Sequence, residues 1–291
     1  MAKKKKTTTM KIESYVAHGS VRAGAPSAEI QSAYKIEVRF LGGLTTTQKN
    51  AFKAAADRWS KVIVGDVPSV IVDGEVIDDL LILAQGVAID GPGGILGQAG
   101  PTHLRPSSAG ANAFLPAKGI MSFDTADLAQ MEADGTLKDV ITHEMGHVVG
   151  VGTIWTNKGL LVGANGNNPT FKGTAAKKEY GVLKGTGPVA VPVENIGGPG
   201  TKNSHWRESV FKNELMSGFI AAPGNPLSRV TAGSLKDLGY VVDLTAAEAY
   251  VLPNLLLMAE SGLSRGAEQE HAHALPVIPI TLPDDSMSIN P

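Results

Sequence analysis

The chain has 291 residues, of which 43% are hydrophobic and 19% charged, enough to bury a core in one large domain or two modest ones. Its 26 basic and 28 acidic side chains leave a net charge of −2, which excludes a global basic field for nucleic acid. Cysteine is absent, so disulfides, thiolate metal sites and thiol nucleophiles are excluded, and seven histidines are left as nitrogen donors for any metal.

Residues 1–33 read as a flexible leader. The run Lys3 to Lys6 is basic, but the polar stretch after it lacks the apolar segment of a secretory signal. The chain is therefore expected to be cytoplasmic, or exported by a route other than the Sec pathway. No run approaches the ~18 apolar residues needed to span a bilayer. In residues 34–42, Ile36, Val38 and Phe40 alternate with polar residues and predict a strand. Thr45 to Thr47 open a helical stretch in which Phe52, Ala55, Ala56, Trp59, Val62 and Ile63 form an apolar stripe that packs in the core.

Residues 69–77 read as a hairpin turning at Asp73-Gly74, 80–89 as a buried strand, and 118–125 as a further short strand. Residues 90–105 are a glycine-rich segment. A helix follows over 136–150, with a capping-box pattern at Thr136 and Asp139 and a stop at Gly150. Residues 156–204 hold no sustained period and read as a long loop region. Regular structure returns at 229–242, where Thr231 is placed to cap a helix, Leu235 and Leu238 to pack, and Gly239 to end it. This divides the chain into a leader (1–33), an N-terminal catalytic subdomain (34–152), a C-terminal subdomain (153–245) and a tail (246–291).

The chemistry is concentrated in THEMGH, residues 142–147. His143 and His147 stand at i and i+4 on one helix face, the spacing at which two imidazoles share one metal ion. Glu144 is placed to reach a water on that metal as a general base. A catalytic zinc takes a third protein ligand and keeps one open position. The next histidine is His205, followed by Met216; Glu179, Glu194, Glu208 and Glu214 are the carboxylate rivals for the same place. His18, His103, His271 and His273 receive no role.

HEMGHVVGVGTIW, a long insertion and then NSHWRESVFKNELMSG resemble the leishmanolysin family of zinc endopeptidases, and the chain looks like a cysteine-free, bacterial-type member of it. The resemblance implies a metzincin-like (zincin) α+β fold: a twisted, mostly parallel sheet, a backing helix, an active-site helix, and an irregular C-terminal half that returns the third ligand. It implies that His143, His147 and His205 bind one Zn2+, that Glu144 is the catalytic base, that Gly150 turns the chain below the metal, and that Met216 lies beneath the site. The resemblance extends to residues 227–243, similar to that family's C-terminal helix region.

DGPGGILGQAGP (90–101) is similar to the glycine-rich loop and edge strand of matrix metalloproteinases, which implies that Ile95, Leu96, Gly97 and Gln98 present backbone groups to an extended peptide. Gly218 stands where astacin-like relatives carry a tyrosine, which excludes a tyrosine ligand there, and a thiol latency switch is impossible without cysteine. Asp78, Asp79, Asp90 and Asp124 are possible calcium carboxylates, though capping and turn roles account for them better, and nothing in the sequence supports the ion. The function expected from this reading is hydrolysis of a peptide or protein substrate. The rivals are a catalytically silent, zinc-stabilised binding or adhesion module, a gluzincin-type peptidase with a glutamate third ligand, and a zinc hydrolase of other amides. Oligomeric state and cleavage specificity are not legible.

Overall fold

The computed structural model describes residues 12–19, 34–164, 166–220, 222–254 and 275–288. Strand β1 (Glu13–His18) is followed by β2 (Lys35–Gly42) and helix α1 (Thr46–Val62). Thr45 caps α1 reciprocally: its hydroxyl accepts from Gln48 N at 3.2 Å, and its own N–H donates to the Gln48 side chain at 2.9 Å. The hairpin of β3 (Val70–Val72) and β4 (Glu75–Ile77) turns through Asp73 and Gly74, both at positive φ. Then come β5 (Leu80–Val87), β6 (Gly97–Leu104), β7 (Pro116–Asp124), α2 (Thr125–Asp134) and α3 (Leu137–Val148).

β1, β2, β5, β7 and β6 form one mixed sheet, parallel at its centre, in the order β1-β2-β5-β7-β6. The β2/β5 and β5/β7 pairs are parallel, whereas β1/β2 and β6/β7 are antiparallel. α1 and α3 pack side by side against the sheet, with Phe52, Ala55, Trp59, Ile82, Met121, Phe123, Ile141 and Met145 in a common core. Trp59 Nε1 donates to the carbonyl of Thr142 at 2.9 Å and fixes α1 against the helix that carries the motif. The hairpin covers part of the sheet through a second cluster of Val70, Val72, Ile77, Leu81 and Ala117. Arg105 is fully buried between these layers, and its guanidinium donates to the carbonyls of Pro68, Asp78, Asp79 and Pro116. Those four acceptors offset much of the cost of burying a charge.

The second half holds β8 (Leu161–Val162), β9 (Thr170–Phe171), α4 (Thr174–Lys184), β10 (Val191–Pro192), α5 (Glu208–Phe211) and α6 (Arg229–Leu238). β10, β9 and β8 form a small antiparallel sheet, and α4 lies along α6. Trp155 and Trp206 stack with ring centroids 4.7 Å apart, and Trp206 Nε1 donates to Thr231 Oγ1 at 2.8 Å. No helix among the described residues is long and apolar enough to cross a membrane.

Several expectations need correction. Residues 13–18 are not leader: they pair with β2 from Glu13↔Phe40 to His18↔Lys35, Ala17 is buried, and Tyr15 OH donates to Asp57 at 2.7 Å. Residues 1–11 and 20–33 of the expected leader lie outside the described residues. The tail likewise contributes β11 (Leu275–Pro276) and β12 (Ile280–Thr281), both parallel to β6, and Met287 bridges to Val70. The 156–204 region contains α4. The capping box at Thr136 is absent; Asp139 instead accepts from Gly224 N at 2.6 Å and pairs with Arg58 at 3.4 Å. Ser228, not Thr231, caps α6, because the Thr231 hydroxyl is turned to Glu214.

Candidate metal centre

α3 buries nearly every side chain along its length, including His143, Glu144 and His147. Apolar Ile141, Met145 and Val148 hold it in the core, while the two histidines share the face turned toward the C-terminal half. His205 reaches the same point from the far end of the 153–204 excursion. The Nε2 atoms of His143 and His205 are 3.0 Å apart, those of His147 and His143 3.2 Å, and those of His147 and His205 2.9 Å.

The opposite ring nitrogens explain why these atoms converge. His143 Nδ1 lies 2.6 Å from the carbonyl of Leu215, His147 Nδ1 2.9 Å from that of Val151, and His205 Nδ1 3.0 Å from that of Thr201. A carbonyl only accepts, so each Nδ1 carries the proton and each Nε2 turns a lone pair toward the other two. Three lone pairs at this separation repel unless a cation lies among them. Zinc–imidazole bonds of about 2.0–2.1 Å at tetrahedral angles place ligand nitrogens roughly 3.3 Å apart, so the donor set fits such an ion. Backbone carbonyls behind each imidazole are the usual means of fixing ring orientation at a metal.

Two glycines set the chain path. Gly150 (φ +111°) ends α3, and Gly152 (φ +79°) admits the closest approach. A Cβ on Gly152 would lie 1.9 Å from the carbonyl oxygen of Ser204, so only glycine lets the residue preceding His205 sit against the end of the motif helix. Thr153 stands six residues beyond His147, and its hydroxyl donates to the His147 carbonyl at 2.7 Å. Met216 is fully buried; a Cβ on Gly146 would meet its sulfur at 2.5 Å, which places the thioether against the helix between the two histidines.

Glu144 lines a cavity of about 220 Å³ together with His147, His205, Thr153, Lys202, Ala99, Pro276 and Val277. Burial pushes its carboxyl up to about 8. Three of the four rival carboxylates, Glu179, Glu194 and Glu214, are engaged elsewhere. Glu179 pairs with Arg229 at 2.7 Å, and Glu194 accepts from Asn195 N and Glu208 N. Glu214 accepts from Met216 N at 2.6 Å, Ser228 N at 3.1 Å, Ser228 Oγ at 2.7 Å and the Thr231 hydroxyl. Sequence reasoning placed Glu214 only among the possible ligands. Its role in holding the 214–217 turn has no spacing signature.

Ile95–Gln98 enter β6, with Gly97 and Gln98 paired on one side to Phe123 and Ser122. The other side is occupied: Leu275 pairs with Gln98 and Pro276 with Ala99. Among the calcium candidates, Asp124 accepts from the N–H groups of Ile89, Asp90 and Gly91 and caps α2, and those backbone donors hold it below the usual carboxylate range. Asp90 accepts from Ile95 N within its own loop. Asp78 and Asp79 come together with Asp66, but Asp78 binds Lys35 and Ser69, and Asp79 accepts from the N–H groups of Lys35 and Val67. His18 and His103 lie apart from the metal-capable histidine group, and His271 and His273 fall outside the described residues.

In this mixed α+β fold three imidazoles converge on one point, a donor set able to hold a metal ion. The sequence model of the leishmanolysin peptidase family matches residues 111–257, and the chain belongs to this family of zinc metallopeptidases. A leishmanolysin homolog from Crithidia fasciculata is 29% identical over 137 residues, which cover 43% of this chain and 20% of the homolog. The chain thus spans about one fifth of that relative's length.

Proposed function

We propose that the chain is a zinc-dependent endopeptidase in which His143, His147 and His205 hold the metal and Glu144 is the general base. The observation that carries this reading is the convergence of three Nε2 atoms, each with its Nδ1 tied to a backbone carbonyl, on a cavity that also contains Glu144. Bound zinc would supply Lewis acidity, polarising a peptide carbonyl and lowering the pKa of a water toward ~7, and its charge would draw the Glu144 carboxyl back down. Glu144 accepts the proton of the attacking water on a carboxylate oxygen and later delivers it to the amine that leaves. The buried setting keeps bulk water from competing for that proton. Met216 and the turn around it support the imidazoles from behind.

A silent binding module is the weaker reading. Structural zinc is held by four protein ligands, whereas the metal-capable histidine group among the described residues numbers three and has a buried carboxylate beside it. A glutamate third ligand is disfavoured by the engagement of Glu179, Glu194 and Glu214 elsewhere. The test is zinc stoichiometry by mass spectrometry together with cleavage of quenched peptides by wild type and Glu144→Ala. One zinc per chain in both proteins, with cleavage lost in the variant, is expected. Equal cleavage by the two would overturn the assignment of the base.

A further inference from the structure

The outer edge of β6 is covered by the chain's own C-terminal segment, and that segment also walls the metal cavity. Leu275 pairs with Gln98 and Pro276 with Ala99; after a break, Ile280 pairs with His103 and Thr281 with Leu104. Pro276 and Val277 line the cavity with Glu144 and His147, and Val277 lies so close over β6 that a Cβ on Gly100 would meet its Cβ at 3.2 Å. An extended peptide adding to this edge beside the cavity would need the same row of backbone groups.

We propose that Leu275–Thr281 is a displaceable self-inhibitory strap, occupying the strand position that a peptide substrate takes next to His143, His147 and His205. The proposal rests on the peptidase reading of that cavity. Three features make the strap exchangeable. Pro276 and Pro279 have no N–H to give to the ladder. Pairing is confined to two residues at each end and is interrupted over 277–279. Ile278 is 91% and Ile280 63% exposed, so these side chains add little burial to hold the segment down. A peptide without prolines would make ladder bonds that the strap forgoes. The end beyond the strap is secured differently: Leu282 N donates to the Leu104 carbonyl at 2.9 Å, Ser288 N donates to the Ser69 carbonyl at 3.0 Å, and Leu282 and Met287 pack on the cluster around Val70. The segment is thus anchored away from the cavity and weakly held beside it.

The full chain carrying Val277→Asp, at the side chain packed over Gly100, is designed to loosen the strap and leave the Leu282–Ser288 anchor intact. Its kcat/KM on quenched peptides should rise about tenfold through a lower KM, the scale of one or two ladder hydrogen bonds. The second measurement does not depend on catalysis. A fluorescent peptide with the sequence of residues 273–283 is titrated, by anisotropy, into Glu144→Ala chains with and without Val277→Asp. Binding to the loosened chain and much weaker binding to the intact one supports the proposal. An unchanged KM, or equal binding to both chains, overturns it. A loosened chain that loses activity and melting temperature and binds no peptide shows the strap to be a structural strand only, and also overturns it. If neither chain cleaves any peptide, the peptidase reading fails, and the anisotropy still decides whether this edge takes an exchangeable strand.

Discussion

The Nδ1 of His143 donates to the carbonyl of Leu215 at 2.6 Å, joining the motif helix to a turn 72 residues further along the chain. The next peptide in that turn is fixed by Glu214, whose Oε2 accepts from Met216 N while its Oε1 gathers Ser228 and Thr231. A buried carboxylate therefore sets the orientation of an imidazole it does not touch.

Glu214→Gln replaces one of these acceptor oxygens with an amide that must donate where donors already point. Zinc affinity should fall about 10- to 100-fold, as it does when the partners behind metal ligands are lost. Stability should drop by about 1–3 kcal/mol from the unsatisfied buried donors. Competition titration with a zinc chelator dye and urea unfolding measure the two effects; unchanged affinity would remove Glu214 from this role.

Gly152→Ala should be far more damaging than its size implies. The added Cβ would lie 1.9 Å from the Ser204 carbonyl oxygen on a backbone already at φ +79°. Strain at such a position costs of order 1–3 kcal/mol before any clash is relieved. Relief requires moving Ser204 and with it His205, so soluble Gly152→Ala protein should bind zinc more weakly than wild type. A variant with native melting temperature and zinc affinity would disprove this coupling.

Asp79 predicts an unusual pH dependence of stability. Its burial pushes the carboxyl up to about 7, against the opposing pull of the N–H groups of Val67 and Lys35. The native state therefore keeps a proton that the unfolded chain loses from about pH 4 upward. This contribution is full below pH 4 and is lost as the pH rises through 7, by at most ~4 kcal/mol. Urea midpoints of wild type should fall over that window. Asp79→Asn should flatten the profile, and an unchanged slope in the variant would assign the effect elsewhere.

Metal removal offers a reversible check. An ion that binds only the folded chain stabilises it by about 2.7 kcal/mol at a hundred times its dissociation constant. A chelator should lower the melting temperature, and added zinc should restore it. In His205→Ala the zinc-dependent part of this shift should shrink; a full-size shift would mean that the third imidazole is not a ligand.

Where one face of an element is buried and the other wet, the sequence announces it. The alternation of Ile36, Val38 and Phe40, the stripe through Trp59 and the Asp73-Gly74 turn all appear as periodicity because burial imposes it. The strands within the segments read as leader (1–33) and tail (246–291) were missed for the opposite reason. β1 buries only Ala17 fully, and β11 and β12 are two residues each, with Pro276 in the first and Pro279 between them, so pairing rather than burial defines them. α4 lay hidden because it is short and its buried Ala176, Glu179, Tyr180 and Gly181 make a weak apolar stripe. At the candidate metal centre, the grouping of His143, Glu144 and His147 was legible because one helix turn brings them together. His205 needed the family resemblance, since a contact across 58 residues leaves no local trace. The carbonyls of Leu215, Val151 and Thr201 were beyond reach, because every residue has one.

The Gly152–Ser204 contact has a consequence for how this protein can diversify. It brings the two ends of the 153–204 excursion together, so that the third imidazole is positioned by the closure and not by the path between. Lengthening such a closed loop costs only logarithmically in chain entropy. α4 moors the excursion on α6, while Thr156, Leu161, Lys202 and Asn203 face the cavity. On the proposed peptidase reading the excursion is an exchangeable cassette: its rim could be rewritten, residue by residue or by insertion, to choose a different substrate while the convergence of the three imidazoles beneath it stays the same.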